Sequence, residues 1–459
     1  MVEPNRLVVR PPAAVTEWLT FLNHRWILTA MRLPSLGLLR DHDYRQLFAA
    51  TTVAQFGFQI SQLAVPLVAV VVLAASPWQV GLLTTITMAP FLLVGLPAGA
   101  WVDRLRRRRV MIVADLGRAV LLATVPLAWW AGWLTIWQLY AVAFLVGALT
   151  VFFDVAYQSY LPTLVGRAQL VEGNSKLEAV RSTAHLGGPA LAGQLIRLMS
   201  APVALLLDAV ALATSALFVA KIRQREPQPT PSPDANLVRE IREGLRFVLG
   251  HRLLRPIVTC TSLFNLFAAA NGAMMILFLE RVLGLDAGTI GLVFTVSGAG
   301  GLVGAAIARR VADWIGQGPA IWLSAAVTSP FALLMPLMAA PGWRLWVAAL
   351  GGFVVSIGVV VCNVTQVSFR QALTPDAMLG RMNATVRFLV FGTMPLGGVL
   401  GGWLGEWLGI RTALLISVLG TCLAFLPVFL SPLRRMRTLP TTAQAPAPAP
   451  AESGASLSA

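Results

Sequence analysis

Lysine is nearly absent from this 459-residue chain, with Lys176 and Lys221 the only two. Neither follows a glycine, so there is no Gly-Lys-Ser/Thr phosphate loop to power ATP-driven pumping. Histidine is scarce as well. His24, His42, His185 and His251 are scattered, with no His-Glu-x-x-His pair, and no Gly-x-Ser-x-Gly elbow occurs, so the constellations of zinc and serine hydrolases are missing. The 3 cysteines, Cys260, Cys362 and Cys422, all fall inside apolar runs and are too dispersed for a metal cluster or a disulfide framework. Charge of either sign is thin, at 12% of residues against 57% hydrophobic, and the mean hydropathy is +0.73. No soluble domain of this length needs so apolar a composition. A cleavable signal-peptide pattern is also absent.

What the chain does have is long apolar runs. Scanning for stretches of ~20 residues, enough to cross ~30 Å of hydrocarbon as a helix, gives about twelve. They lie near 47–75, 79–102, 110–133, 137–160, 175–199, 202–221, 256–279, 288–309, 319–340, 345–369, 383–407 and 410–431. The fold class is therefore an all-α integral membrane protein. The net charge of +15 follows the same pattern. With an even number of spans, arginine crowds the segments that share a side with both ends of the chain, while only Arg197, Arg281, Arg344 and Arg411 fall opposite. That asymmetry puts both termini in the cytoplasm of a cell (inner or plasma) membrane and reads the basic excess as a topology signal with attraction to anionic lipid headgroups, not as nucleic-acid binding.

The sharpest break is Gly99-Ala-Trp-Val-Asp103-Arg104-Leu-Arg106-Arg107-Arg108-Arg109, directly behind the second apolar run. Five arginines in this stretch are very costly in lipid and fix the cytoplasmic end of that span. The pattern resembles the loop between helices 2 and 3 of the major facilitator superfamily, small-x-x-x-Asp-Arg-x-Gly-Arg-Arg. Gly99, Asp103, Arg104 and the later arginines match it, and Arg106 stands where the family usually has glycine. The resemblance implies two pseudo-symmetric six-helix bundles around a midplane cavity. It also implies a latch, in which Asp103 and Arg104 work with Arg381 and Arg387 early in helix 11 and with Asp154 near the cytoplasmic end of helix 4. Such a latch stabilises the outward-facing state and breaks to open inward; a static topology anchor is the alternative.

The chain divides accordingly. Residues 1–46 form a cytoplasmic segment, 47–221 the first bundle, 222–255 a linker, 256–432 the second bundle and 433–459 a disordered Ala/Pro/Ser-rich tail. Before residue 40, Trp18, Phe21 and Trp26 among arginines fit a surface-lying segment, and Met31 is an equally good start. The linker opens proline-rich, and then Leu237, Ile241, Leu245 and Val248 recur at helical spacing, the pattern of an amphipathic surface helix. The halves read as weak copies. Gly81-Leu82 and Asp103 recur as Gly291-Leu292 and Asp313 at a shift of 210, and Asp154, Ser159, Leu170, Asn174 and Gly188 recur as Asn363, Ser368, Leu379, Asn383 and Gly397 at 209.

Within helix 5, Gly187-Gly188-Pro189-Ala-Leu-Ala192-Gly193 resembles the Gly-Pro-x-x-Gly-Gly exporter signature, with Ala192 replacing one glycine. Gly188, Pro189 and Gly193 are thus a candidate helix-bend motif, though close packing also explains them. Asp115/Arg118 and Glu178/Arg181 share helix faces three residues apart. Strongly polar groups near the midplane are the candidates for substrate and proton handling. Gln55, Gln59, Gln62, Asn265, Asn271, Asn363 and Gln366 are the cavity candidates, with interhelical glue the alternative; His185 and Asp208 are the proton-coupling candidates. Gly57 is followed by Phe58, where many relatives carry an aspartate, so the usual helix-1 proton site is missing.

Ala114-Asp115-Leu116-Gly117-Arg118, Leu170-x-x-x-Asn174 and Glu243-Gly244-Leu245-Arg246-Phe247 resemble the siderophore (enterobactin-type) and macrolide exporter branch of the superfamily. The resemblance implies a monomeric secondary transporter, not an enzyme and without a cofactor. It exports a small amphiphilic drug, macrolide or siderophore by alternating access, with protons as the coupling partner and membrane lipids around it. A lipid or lysolipid flippase, and a non-transporting scaffold or sensor, are the alternatives.

Overall fold

The computed structural model describes residues 37–102, 104–166, 169–224, 226, 237–337, 341–375 and 378–437. Asp103, the residues before 37, most of the proline-rich linker and residues 438–459 lie outside this set. Among the described residues, twelve helical crossings run in chain order. They are α1 (His42–Leu67), α2 (Pro77–Leu93, resumed as Gly95–Val102), α3 (Arg107–Trp130), α4 (Ile136–Val165), α5 (Leu170–Met199) and α6 (Ala201–Ala220). The second half adds α7 (Leu254–Leu277), α8 (Ala287–Ile315), α9 (Gln317–Thr328, extended through a 3-10 turn to Leu337), α10 (Trp343–Leu373), α11 (Leu379–Leu408) and α12 (Ile410–Leu423, with a last turn Leu426–Phe429). Ten of these crossings are long and apolar enough to span a membrane. The other two differ for visible reasons. In α2, the interruption at Val94 leaves two shorter pieces, while α5 carries Glu172, Lys176, Glu178, Arg181, His185 and Arg197 along its 30 residues.

Caps set the starts. Asp41 accepts from the Tyr44 amide at 2.8 Å, which begins α1 earlier than the apolar run does. Ser76 and Gln79 form a capping box with Pro77 in the first turn of α2. Asp286 accepts from the Gly288 and Thr289 amides to open α8.

Within the first bundle α1 packs on α5 and α6, and α3 on α4 and α6; in the second, α7 packs on α11 and α12, and α10 on α8 and α9. Two seams join the bundles, α2 against α11 and α5 against α8. The duplication is visible in backbone detail. A π-helical turn ends α1 at Val68–Val72 and another follows α7 at Phe278–Val282, the same 210-residue shift as the sequence match. Left-handed residues follow each turn at that shift, Ala74 (φ 49°) and Gly284 (φ 65°).

We call the side holding the start of α1 and the end of α12 the terminal side, and the other the far side. Trp130, Trp133, Trp137, Trp343 and Trp407 are exposed at the far-side helix ends, the placement of an interfacial aromatic belt. On the terminal side, the linker helix Leu237–Gly250 lies against α11. Glu243 there pairs with Arg381 at 2.9 Å, and Gly244 sits against Thr385. Residues 433–437, assigned by composition to the tail, instead form an ordered turn with Leu433 fully buried. Arg437 and Met436 carbonyls accept from the Gln317 and Gly318 amides at 3.1 and 2.9 Å, docking the turn on the start of α9.

Candidate functional site

The far side is where the bundles touch most intimately. A Cβ built on Gly81 of α2 would lie 2.4 Å from Gly402 Cα and 2.6 Å from the Gly398 carbonyl of α11. Across the other seam, a Cβ on Gly193 of α5 would lie 2.4 Å from the Ala287 carbonyl, and one on Gly291 of α8 2.2 Å from the Pro189 carbonyl. Only glycine allows such backbone approach. Polar clasps reinforce it: the Trp78 amide donates to Glu406 Oε2 at 3.0 Å, and Arg281 Nη2 donates to the Val70 carbonyl at 2.9 Å, joining α7 to the end of α1. The Thr85 hydroxyl donates to the Pro395 carbonyl at 2.9 Å.

The exporter-like motif in α5 divides between two neighbours. Gly188 faces α1, where a Cβ would meet Gln59 Cγ at 2.5 Å, while Pro189 and Gly193 face α8. The helix runs through Pro189 without interruption, so what the motif supplies in this structure is close packing on both sides.

Gln59 is buried and its side-chain amide lies 3.1 Å from His185 Nδ1, while His185 itself is exposed. In the second bundle, Thr261 donates to Gln366 Oε1 at 2.6 Å, and Gln366 Nε2 donates to Asn363 Oδ1 at 3.3 Å, with Asn363 exposed. Asn265 returns its amide to the Thr261 carbonyl at 2.8 Å. Of the cavity candidates, the structure thus joins Gln59 to His185 in the first bundle and Asn265, Asn363 and Gln366 around Thr261 in the second. Gln55, Gln62 and Asn271 make no side-chain hydrogen bond among the described residues.

A second polar layer is buried inside the first bundle. Arg118 pairs with Asp115, which also accepts from the Ser215 hydroxyl at 2.7 Å; Arg118 reaches Thr150 at 3.3 Å and covers the Phe153 ring at 4.7 Å. Burying this pair costs solvation that these extra bonds offset. Asp208 of α6, 3% exposed, accepts from the Ser61 hydroxyl of α1, and its Oδ1 finds no partner among the described residues. It projects at Gly57, where a Cβ would lie 2.4 Å from Oδ1. A carboxylate from α6 therefore occupies the α1 neighbourhood in which α1 lacks one of its own.

Of the latch residues, Gly99 lies in the second piece of α2, and Arg104 is exposed in the turn that follows. Arg381 is held by Glu243 of the linker helix. Asp154 of α4 lies within the fields of Arg118, Arg181 and, from the opposite bundle, Arg387, which stacks over Phe391 at 5.9 Å. Several contributors escaped sequence reading. Ser61 lies one helical turn after Gly57, a signal that could have found it. Glu226, which accepts from the Arg107 and Arg108 amides at 2.9 and 3.3 Å, had no local signal at all.

Two six-helix bundles meeting along α2–α11 and α5–α8 around polar clusters define a membrane transporter of major facilitator architecture. The chain belongs to the transmembrane secretion effector family of that superfamily, whose profile matches residues 34–455. It is 34% identical over 227 residues to the multidrug efflux pump Tap of Mycobacterium tuberculosis, covering 47% of this chain and 54% of Tap. It is 27% identical over 277 residues to the MFS-type transporter YfiS of Bacillus subtilis, covering 59% and 64%. The chain thus spans less than two thirds of the length of these relatives. The match to the enterobactin exporter EntS of Escherichia coli, 25% identical over 367 residues, covers 76% and 82%. Among solved structures, the fold is shared with the nucleoside transporter NupG (TM-score 0.69, 12% identity, 84% and 98% covered) and with an inward-facing bacterial homologue of the iron transporter ferroportin (TM-score 0.66, 17% identity, 85% and 98% covered).

Proposed function

We propose that this chain exports a small amphiphilic molecule, such as a drug, macrolide or siderophore, from the cytoplasm by alternating access with proton antiport. The carrying observation is the glycine-to-backbone closure of both seams on the far side. A seam built from glycine faces can close completely and part again, which a permanent scaffold does not need. On the arginine distribution we read the far side as the cell exterior, and the closed far-side seams then belong to an inward-facing stage of the cycle. The Gln59–His185 and Thr261–Gln366–Asn363 clusters offer donors and acceptors amid apolar helix faces, a surface suited to an amphiphile with a few polar groups. Gly99, Asp103, Arg104, Asp154, Arg381 and Arg387 serve the opposite gate. His185 is the favoured proton carrier, since it is exposed and lies midway along α5.

The kinship with Tap and EntS supports the export direction and this substrate class. The test is efflux from proteoliposomes holding the purified chain, with a macrolide, a cationic dye and a catecholate siderophore as cargo. Gradient-accelerated movement of at least one cargo supports the reading. Flux of none, or movement of labelled phospholipid alone, overturns it.

A further inference from the structure

Outside the transport pathway, a groove of about 720 Å³ opens between the end of α2, the first turns of α3 and the facing part of α4. Its rim is basic, formed by Arg104, Arg106 and Arg109, and its walls are apolar, with Val113, Leu149 and Phe152. The five arginines of this loop divide in function. Arg107 and Arg108 turn inward to the Ser159, Val219 and Ala220 carbonyls, and Glu226 caps their amides. Arg104, Arg106 and Arg109 are exposed and make no ion pair among the described residues. Even with the sequence neighbour Asp103 counted against them, the rim keeps an excess of positive charge.

Geometry gives the groove its direction. It starts where α2 gives way to α3, the level of the membrane surface. It narrows toward Gly117, where a Cβ would meet Leu149 at 2.8 Å and the two helices close up. Eleven residues of α-helix separate Arg106 from Gly117, a depth of about 16 Å, which matches one leaflet of a ~30 Å hydrocarbon core. Val113 is 65% exposed and Leu105 51% exposed, so this part of the wall is uncovered, while Phe152 stacks on Trp101. A volume in the range of small-molecule pockets, headed by cations and continued by hydrocarbon walls, fits one kind of occupant.

We infer that this groove binds an anionic phospholipid of the terminal-side leaflet, its phosphate held by Arg106 and Arg109 and an acyl chain lying along Val113 and Leu149. The site is distinct from the cavity between the bundles.

The test is native mass spectrometry of the purified full chain in detergent, titrated with phosphatidylglycerol and, separately, phosphatidylcholine. Wild type is expected to retain one phosphatidylglycerol at least about tenfold more tightly than phosphatidylcholine. Arg106→Gln/Arg109→Gln weakens that adduct about 30-fold, at roughly fivefold per interfacial arginine, and leaves phosphatidylcholine unchanged. Arg106→Lys/Arg109→Lys keeps binding within a few-fold, which separates charge from misfolding. Val113→Trp fills the apolar wall and lowers phosphatidylglycerol retention with the arginines intact. Millimolar inorganic phosphate leaves the adduct in place, because the chain contact is required. Equal retention by wild type and the Gln double variant overturns the inference, as does displacement by phosphate alone or indifference to Val113→Trp.

Discussion

Asp208 of α6 aims its carboxylate at Gly57 of α1, and a Cβ on Gly57 would lie 2.4 Å from Asp208 Oδ1 and 2.9 Å from the Ala211 methyl. The glycine is thus the space that the carboxylate occupies. Gly57→Ala must rotate Asp208 out of its Ser61 bond or push α1 off α6, an overpacking cost of about 1–3 kcal/mol. In an Asp208→Ala background, part of that cost disappears. Thermal melting of the four proteins of this cycle in detergent checks it; additive losses would show that the two side chains do not share the space.

Proton exchange requires a route to water, and the two coupling candidates differ in that respect. Asp208 is 3% exposed and fastened to Ser61, whereas His185 is exposed and its side chain hydrogen-bonds to Gln59. His185→Gln keeps an amide partner for Gln59 but cannot carry a proton. The expected outcome is loss of pH-gradient-driven efflux with downhill flux retained, measured in proteoliposomes. Asp208→Asn is expected to lower both modes together, as a packing defect does. The reverse pattern would move the coupling role to Asp208.

The far-side seam offers a conformational prediction. The three atoms nearest a Cβ on Gly81 are all backbone of Gly398 or Gly402, so no side-chain rotation relieves these contacts. Gly81→Ala therefore separates α2 from α11 and shifts the population toward the far-side-open state. A thiol reagent supplied from outside should label a cysteine placed at Thr85 several-fold faster in the Gly81→Ala protein than in its parent, in a background lacking Cys260, Cys362 and Cys422. Unchanged labelling would mean that the seam yields without opening.

Much of this architecture is legible in the sequence because lipid imposes long apolar runs and because arginine is expelled to one side. The α5 crossing is legible as the apolar run at 175–199, although the charged residues along its helix keep it out of the ten spans that are apolar enough to cross a membrane. The π turns after α1 and α7 are invisible to periodicity, since they change hydrogen-bond register without changing composition. Ala74 hides its left-handed backbone behind an ordinary residue, while its counterpart Gly284 advertises it. The site was legible as a set of polar residues at depth but not as pairs. Gln59–His185 joins residues 126 apart, and Glu226 caps α3 from 119 residues away, distances at which no local spacing carries a signal. The ordered turn at 433–437 was lost for a similar reason, because its hydrogen bonds go to Gln317 and Gly318.

Alternating access ties the two sides together, and Asp154 with Arg387 supplies the means to read the terminal side. These residues lie on α4 and α11, in opposite bundles, Asp154 eleven residues before the end of α4 and Arg387 eight residues into α11. When the far side opens, the terminal halves must approach and this pair must tighten. Cysteines at both positions, in a background without Cys260, Cys362 and Cys422, should therefore cross-link with a short bifunctional reagent only slowly in the resting protein. Adding Gly81→Ala should raise the cross-linking rate several-fold, although Gly81 touches neither residue. A rate that ignores Gly81→Ala, while far-side labelling at residue 85 increases, would show that the seams open independently of the gate. That outcome would exclude rigid-body rocking of the two bundles.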